Sequence, residues 1–276
     1  MRAARIRKST RATLIAFLMM SALFVVPTHS QTITPLYSFS NQTNSGSPQE
    51  VALVQGRDGE LYGTSLGNDN DFSGSIFKVS VSRVFKELYS FSTSNACCPG
   101  EGMTLASDGN FYGVAPDGGN EGNGLLFKIA PNGDFTALHY FTGSSDGANP
   151  FAPPIQASDG NLYGTTGNGV SGATVYKYTI SGSFSTIYQF SGAYVGAPLI
   201  QASDGFLYGT TANGGWAQCG TIFKMSTAGA LLRSYPFPCK AGGLSLVTLH
   251  FYRHRMAIFT EQPPRGGCKI KGQFSG

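Results

Sequence analysis

The amino-acid sequence predicts an all-β fold, a β-propeller-like array of four-stranded antiparallel blades, and three recurrences predict it. The first is a six-residue motif that appears four times: Asp58-Gly59-Glu60-Leu61-Tyr62-Gly63, Asp108-Gly109-Asn110-Phe111-Tyr112-Gly113, Asp159-Gly160-Asn161-Leu162-Tyr163-Gly164 and Asp204-Gly205-Phe206-Leu207-Tyr208-Gly209. The steps between copies are 50, 51 and 45 residues. The second is an apolar-aromatic-Lys triplet after each copy, at Ile76-Phe77-Lys78, Leu126-Phe127-Lys128, Val175-Tyr176-Lys177 and Ile222-Phe223-Lys224. The third reads LYSF at 36–39 and 88–91, LHYF at 138–141, IYQF at 187–190 and SYPF at 234–237. Three motifs in fixed order at a period near fifty residues mark a repeat architecture, and four strands in such a period make one propeller blade.

The third copy shows how a unit divides. PPIQAS (153–158), NLYGTT (161–166), ATVYKYT (173–179) and FSTIYQF (184–190) are short, rich in β-branched and aromatic residues, and bounded by Gly, Asn, Asp and Ser. Asp-Gly between the first two predicts a type I′ hairpin with positive φ at both central residues. Asn132-Gly133 and Ser181-Gly182 mark hairpins between third and fourth strands. Leu61, Phe111, Leu162 and Leu207 alternate with the motif Tyr, so the two sets point to opposite faces. No segment of the repeat region has a 3.6-residue apolar period. The repeats fall at about 36–87, 88–137, 138–186 and 187–233, with a partial fifth from 234.

Outside residues 31–241 the chain changes character. Arg2, Arg5, Arg7, Lys8 and Arg11 precede an apolar stretch from Ala12 to Val26 and the small residues Thr28 and Ser30. That order is a signal peptide over 1–30, cut after Ser30. Its apolar stretch is shorter than the roughly 20 residues a bilayer requires, so no integral membrane protein is expected after cleavage. Export places the chain where disulfides form. Residues 242–276 are basic and lack every motif. Back-translating Arg255–Pro263 with degenerate codons and shifting by two bases permits Asp-Gly-Asn-Phe-Tyr-Gly-Thr-Thr, at the phase of a fifth repeat. The tail therefore reads as a frameshift product and the array as truncated.

The combination LYSF…DGANPFAPPIQASDGNLYGTT…TVYKYT resembles the GloVer tandem repeat of secreted bacterial proteins, the choice-of-anchor repeat proteins, over about residues 36–241. The resemblance implies an extracellular or surface-attached array and carries no catalytic residues to this chain. Thr64-Ser65 and Val114-Ala115 depart from the Thr-Thr of the other copies.

The formal charge of +4 suggests nucleic acid until it is divided. Residues 31–241 hold 9 Lys+Arg against 14 Asp+Glu, so the array is acidic and no nucleic-acid partner is expected. No catalytic, cofactor or metal residues are assigned. The repeated Asp58, Asp108, Asp159 and Asp204 read as turn residues rather than calcium ligands. The run Gly67-Asn68-Asp69-Asn70-Asp71 lacks the Gly and distal Glu of a calcium loop. Lys78, Lys128, Lys177 and Lys224 read as edge-strand charges. His139, which replaces the Tyr of the third motif, has no accompanying Ser or Asp motif, and Trp216 is a candidate sugar-stacking residue. Cys219 and Cys239 are the candidate disulfide, whereas adjacent Cys97 and Cys98 would form a strained one. The expected function is a non-catalytic secreted scaffold presenting a surface to an extracellular glycan or protein. The alternative is an extracellular propeller enzyme acting on glycans or lactones.

Overall fold

The computed structural model describes residues 34–39, 52–67, 74–92, 98–99, 102–170, 172–214 and 219–237. The chain divides into two compact units, Met1–Pro35 and Leu36–Gly276. The described residues contain no helix, so none long and apolar enough to cross a membrane. Among the described residues of the second unit sixteen strands form four sheets. The first sheet is β1 (Val54–Gln55), β2 (Leu61–Ser65), β3 (Ser75–Val79) and β4 (Phe85–Ser90); the second is β5 (Met103–Leu105), β6 (Phe111–Ala115), β7 (Leu125–Ile129) and β8 (Phe135–Tyr140). The third is β9 (Ile155–Gln156), β10 (Leu162–Thr165), β11 (Thr174–Tyr178) and β12 (Phe184–Gln189). The fourth is β13 (Ile200–Gln201), β14 (Leu207–Thr211), β15 (Thr221–Met225) and β16 (Leu231–Pro236). Every neighbouring pair is antiparallel and in sequence order, as in a blade of a propeller-like fold.

The third motif closes a sheet; it does not open the next. Residues 88–90 end β4 and residues 234–236 end β16, so the sequence boundaries at 88, 138, 187 and 234 cut through outer strands. The apparent start of a fifth repeat belongs to the fourth sheet.

The Asp-Gly hairpins differ from the expected type. Gly59 N–H donates to the Gly56 carbonyl at 3.1 Å and Gly56 N–H to the Glu60 carbonyl at 2.8 Å; the same pair of bonds recurs around Gly109, Gly160 and Gly205. Only the glycines have positive φ, at 81°, 85°, 80° and 79°. This is a type I turn followed by a left-handed glycine that makes a bulge. The reason lies in the Asp side chain. Asp58 Oδ1 accepts the Glu60 N–H two residues on, at 3.2 Å, and this local bond fixes Asp in the turn while glycine takes the left-handed place.

The other glycine of the motif answers a different need. A Cβ on Gly63 would stand 2.7 Å from the Phe77 ring across the strand pair. Gly113, Gly164 and Gly209 are likewise overlain by Phe127, Tyr176 and Phe223. The first and second motifs are thus two halves of one packing arrangement.

Each sheet has a Leu face and a Tyr face, and the core lies between sheets. Tyr62, Ile76 and Phe91 of the first sheet and its following residue cluster with Phe111, Phe127 and Ile129 of the second. Tyr112 and Leu126 cluster with Leu162 and Tyr176 of the third; Tyr163 and Val175 cluster with Leu207 and Phe223 of the fourth. Because an inner sheet has a neighbour on either side, β6 is buried at all five positions instead of alternating. Tyr176 lies in such a junction with its hydroxyl unbonded, where the other three copies have Phe. Burial holds its pKa far above the usual tyrosine range. Tyr176→Phe is expected to stabilise the fold by about 1–2 kcal/mol by removing an unsatisfied buried hydroxyl. Calorimetry would show this as a rise in Tm of a few degrees; a fall would mean that the hydroxyl is satisfied.

Candidate functional site

The two ends of the strands are chemically unlike. At one end every connection within a sheet is five residues, 56–60, 80–84 and their counterparts. At the other end the connections run from 8 to 14 residues, the longest being 141–154. Antiparallel order forces this division, since β1–β2 and β3–β4 turn at one end while β2–β3 and β4–β5 turn at the other.

The tight-turn end carries the repeated polar residues. Tyr62 Oη donates to Asp58 Oδ2 at 2.6 Å, and Tyr112, Tyr163 and Tyr208 donate to Asp108, Asp159 and Asp204 at 2.8, 2.7 and 2.7 Å. Lys78 and Lys177 place Nζ 3.8 Å from Asp58 and Asp159, and Lys224 donates to Asp204 at 2.9 Å. These lysines are on third strands, not edge strands, and three of them reach across to the motif Asp and Tyr. The Tyr62 hydrogen bond holds the Asp58 carboxyl below its ordinary pKa, and the Lys224 bond does so foremost at Asp204. At Asp108 and Asp159 burial pushes upward, but bonds from Asn110 and Tyr112, and from Tyr163 and Asn161, outweigh it. Burial first, then the carboxylate, raises Tyr62, Tyr112 and Tyr163 far above the tyrosine range. Groups shifted away from neutrality in both directions are not tuned for proton transfer at pH 7.

The signs fix a pH window. The depressed Asp pKa values add stability above the unfolded carboxylate range near 4, and this is lost as pH falls through the folded values. The raised Tyr pKa values add stability that is complete below about pH 10 and is lost as pH rises beyond it. The urea midpoint is expected to be level between about pH 7 and 9 and to fall on both sides, with His139, whose charging burial opposes, adding to the loss on the acid side. Tyrosine ionisation near pH 10 with the midpoint unchanged would contradict the tyrosine half of this expectation.

Neighbouring sheets are also tied at the tight-turn end. Gln156 Oε1 accepts the Ser107 N–H at 2.7 Å, and its Nε2 donates to the Gly160 carbonyl at 2.9 Å. Gln201 does the same to Ser158 and Gly205. Leu105 stands at this position in the second sheet, where Arg57 of the first donates to the Ser107 carbonyl at 2.7 Å.

The long-connection end holds an open cleft of about 660 Å³ between the third and fourth sheets. Asn168, Gly169, Val170 and Gly172 line it from 166–173, Ser191, Gly192, Ala193 and Tyr194 from 190–199, and Asn213 from 212–220. Its walls are braced: Tyr194 N–H donates to Asn213 Oδ1 at 2.6 Å, Ala212 N–H to the Tyr194 carbonyl at 2.8 Å, and Ala148 N–H to the Asn168 carbonyl at 2.6 Å. The described lining offers amides, the hydroxyls of Ser191 and Tyr194, an aromatic ring and glycine backbone, and no charged side chain. Such a surface hydrogen-bonds neutral hydroxyl-rich ligands and gives an anion no cationic side chain to pair with.

His139 keeps the place its sequence position assigns. Its ring stacks on Phe184 at 3.5 Å and 5°, as Tyr89 stacks on Phe135 at 3.8 Å and 8°. No motif marks its partner Asp146, whose Oδ2 is 3.0 Å from Nε2 and also accepts the Thr142 N–H. Burial, working against Asp146, holds His139 below its ordinary pKa. The Asp146 carboxyl lies below the usual range because bonds from Thr142 and His139 outweigh burial. The pair closes the connection after β8. Among the described residues no three His, Cys, Asp or Glu side chains are grouped to hold a metal ion. Cys219 is disulfide-bonded. Cys97, Cys239, Trp216, Asn68–Asp71, the signal segment 1–30 and the tail 242–276 lie outside the described residues.

Asn168, Ser191, Tyr194 and Asn213 lie outside the three motifs, on connections of different lengths, and so carry no part of the sequence pattern that predicts the strands. The available signal is the Asn-Gly pair five residues after the motif Tyr in the third and fourth copies, and the Ser or Thr that follows the Phe of the third motif at 92, 142 and 191.

Four repeated sheets with a Tyr-to-Leu junction define a propeller-like repeat protein. The chain belongs to the Gloeobacter/Verrucomicrobia repeat family, which matches residues 21–172 and 99–247. No curated protein matches it. Among known structures it is similar to a catalytically inactive variant of virginiamycin B lyase from Staphylococcus aureus crystallised with quinupristin. The identity is 17% and the TM-score 0.51, over 70% of this chain and 57% of that one. It is also similar to a gluconolactonase from Xanthomonas campestris, with 10% identity and a TM-score of 0.43 over 67% of this chain and 61% of that one. The chain thus spans little more than half the length of the lyase.

Proposed function

We propose that this chain is an exported, non-catalytic repeat protein that binds a neutral extracellular glycan in the cleft at its long-connection end. The observation that carries the reading is the division of polar chemistry between the two ends. The repeated Asp, Tyr and Lys side chains bond one another at the tight turns, whereas uncharged Asn168, Ser191, Tyr194 and Asn213 line the open cleft. The Tyr194 ring supplies an apolar face for a sugar, and the amides supply donors and acceptors beside it.

Glycan-array screening followed by calorimetric titration tests this. Tyr194→Ala and Asn213→Ala are each expected to weaken binding tenfold or more, while Asp108→Asn at the far end leaves it unchanged. Equal binding by the cleft variants would remove the site, and turnover of a glycan or lactone would decide for the enzyme reading. N-terminal sequencing of the secreted protein should begin at Gln31.

A further inference from the structure

The fourth sheet presents an unpartnered Tyr face. β14 and β15 alternate between buried and half-buried positions, whereas the corresponding strands of the second sheet are buried at nearly every position. Tyr208 and Ile222 are half-buried where Tyr62 and Ile76 are fully buried, and Tyr235 is 51% exposed. The outer strand also differs. In the first three sheets the register shifts between Ile76 and Phe77 and at the equivalent places. At that shift Leu88 or Ile187 lies beneath Gly133 or Gly229, the turn glycine of the following sheet. The fourth sheet has its shift two residues along, at Lys224/Met225, and no described sheet follows it.

At the opposite extreme, residues 36–39 stand where the outer strand of a preceding sheet would stand. Tyr37 stacks on Phe85 at 4.1 Å and 11°, matching Tyr89 on Phe135. Phe39 meets Phe77 edge-on at 5.1 Å and 63°, matching Phe91 on Phe127 at 5.7 Å and 61°. Tyr37 and Phe39 thus cover Phe77 and Phe85 on the Leu face with side chains of the same motif that ends β16, and Leu61 of β2 is half-buried.

We propose that the Tyr face of the fourth sheet docks on the Leu face of the first sheet in a second copy of this chain. Tyr208 then meets Leu61 as Tyr163 meets Leu207, and Tyr235 stacks on Phe85 in place of Tyr37. The argument is continuity: the same Tyr-to-Leu junction forms three times within the chain, so the two terminal faces are complementary by construction. Residues 238–276 carry none of the three motifs that would let them supply such a sheet themselves. The contact is head-to-tail, and such contacts propagate unless the rotation closes.

Sedimentation velocity of the full chain over a hundredfold concentration range tests the proposal, the expected result being concentration-dependent dimers and larger species. Ile222→Asp and Leu61→Asp should each be monomeric alone, and an equimolar mixture should form a dimer that grows no further. Tyr37→Ser with Phe39→Ser should tighten association severalfold by freeing Phe85, a result that mere surface stickiness would not give. Wild-type chain that stays monomeric throughout, with residues 238–276 covering the face, overturns the proposal. So does dimerisation of Leu61→Asp alone, which would signify two fourth sheets meeting face to face. Disulfide trapping between Tyr208→Cys of one copy and Leu61→Cys of another reads the contact directly if an aspartate variant fails to fold.

Discussion

Tyr163→Ala is expected to destabilise the fold by roughly 3–5 kcal/mol, the range for deleting a buried ring. The same replacement at Tyr208, at the same place in the next copy of the motif, is expected to cost only about 1–2 kcal/mol. Tyr163 is fully buried between the third and fourth sheets, donates to Asp159 and approaches the Thr227 carbonyl at 3.3 Å. Its loss opens a cavity at a junction and removes the donor that Asp159 accepts. Tyr208 keeps the same bond to Asp204, but its ring lies on the open face, where much of it already meets water. Urea unfolding at a concentration low enough to keep the chain monomeric measures both. Equal costs would show that the fourth sheet is covered as the third is.

Gly164→Val is expected to cost roughly 3 kcal/mol through overpacking, against about 1 kcal/mol for Gly160→Ala, four residues earlier. A side chain at Gly164 enters the space held by Tyr176, which is fully buried and cannot swing aside. A Cβ at Gly160 meets nothing within 4 Å, and its cost is the positive φ of 80° alone. Combining Gly164→Val with Tyr176→Ala should cost less than the sum of the two, because the second change vacates the space the first requires. Strict additivity in that double-mutant cycle would mean that the ring is not what excludes a side chain at 164.

The strands were legible because each carries its own local pattern. The third copy was expected at 153–158, 161–166, 173–179 and 184–190, and strands formed within those bounds at Ile155–Gln156, Leu162–Thr165, Thr174–Tyr178 and Phe184–Gln189. The turn type was not legible: Asp-Gly is compatible with two hairpin geometries, and the choice rests on the bond from the Glu60 N–H to Asp58, which composition does not reveal. Nor was the role of the lysines. A charge on a short strand suggests an edge, yet Lys78 and Lys177 lie on interior strands and extend past the motif tyrosine to the turn carboxylate. The Asp146 partner of His139 and the lining of the cleft depend on how long connections fold back, and those connections differ in length between repeats. Repetition exposed the scaffold and concealed what differs from copy to copy.

The uniform five-residue turns have a genetic consequence. One residue inserted at 56–60 displaces Gly59 from its left-handed place, breaks the Asp58 bond and, at the equivalent turns of the later sheets, pulls the glutamine clamps out of register. One residue inserted at 141–154 or 190–199 only lengthens a connection that already varies between copies. Insertions and deletions should therefore accumulate at one end of the strands and be purged at the other. Relatives of this protein would then diversify the rim of the cleft by changes in length, while the opposite end stays fixed to the residue.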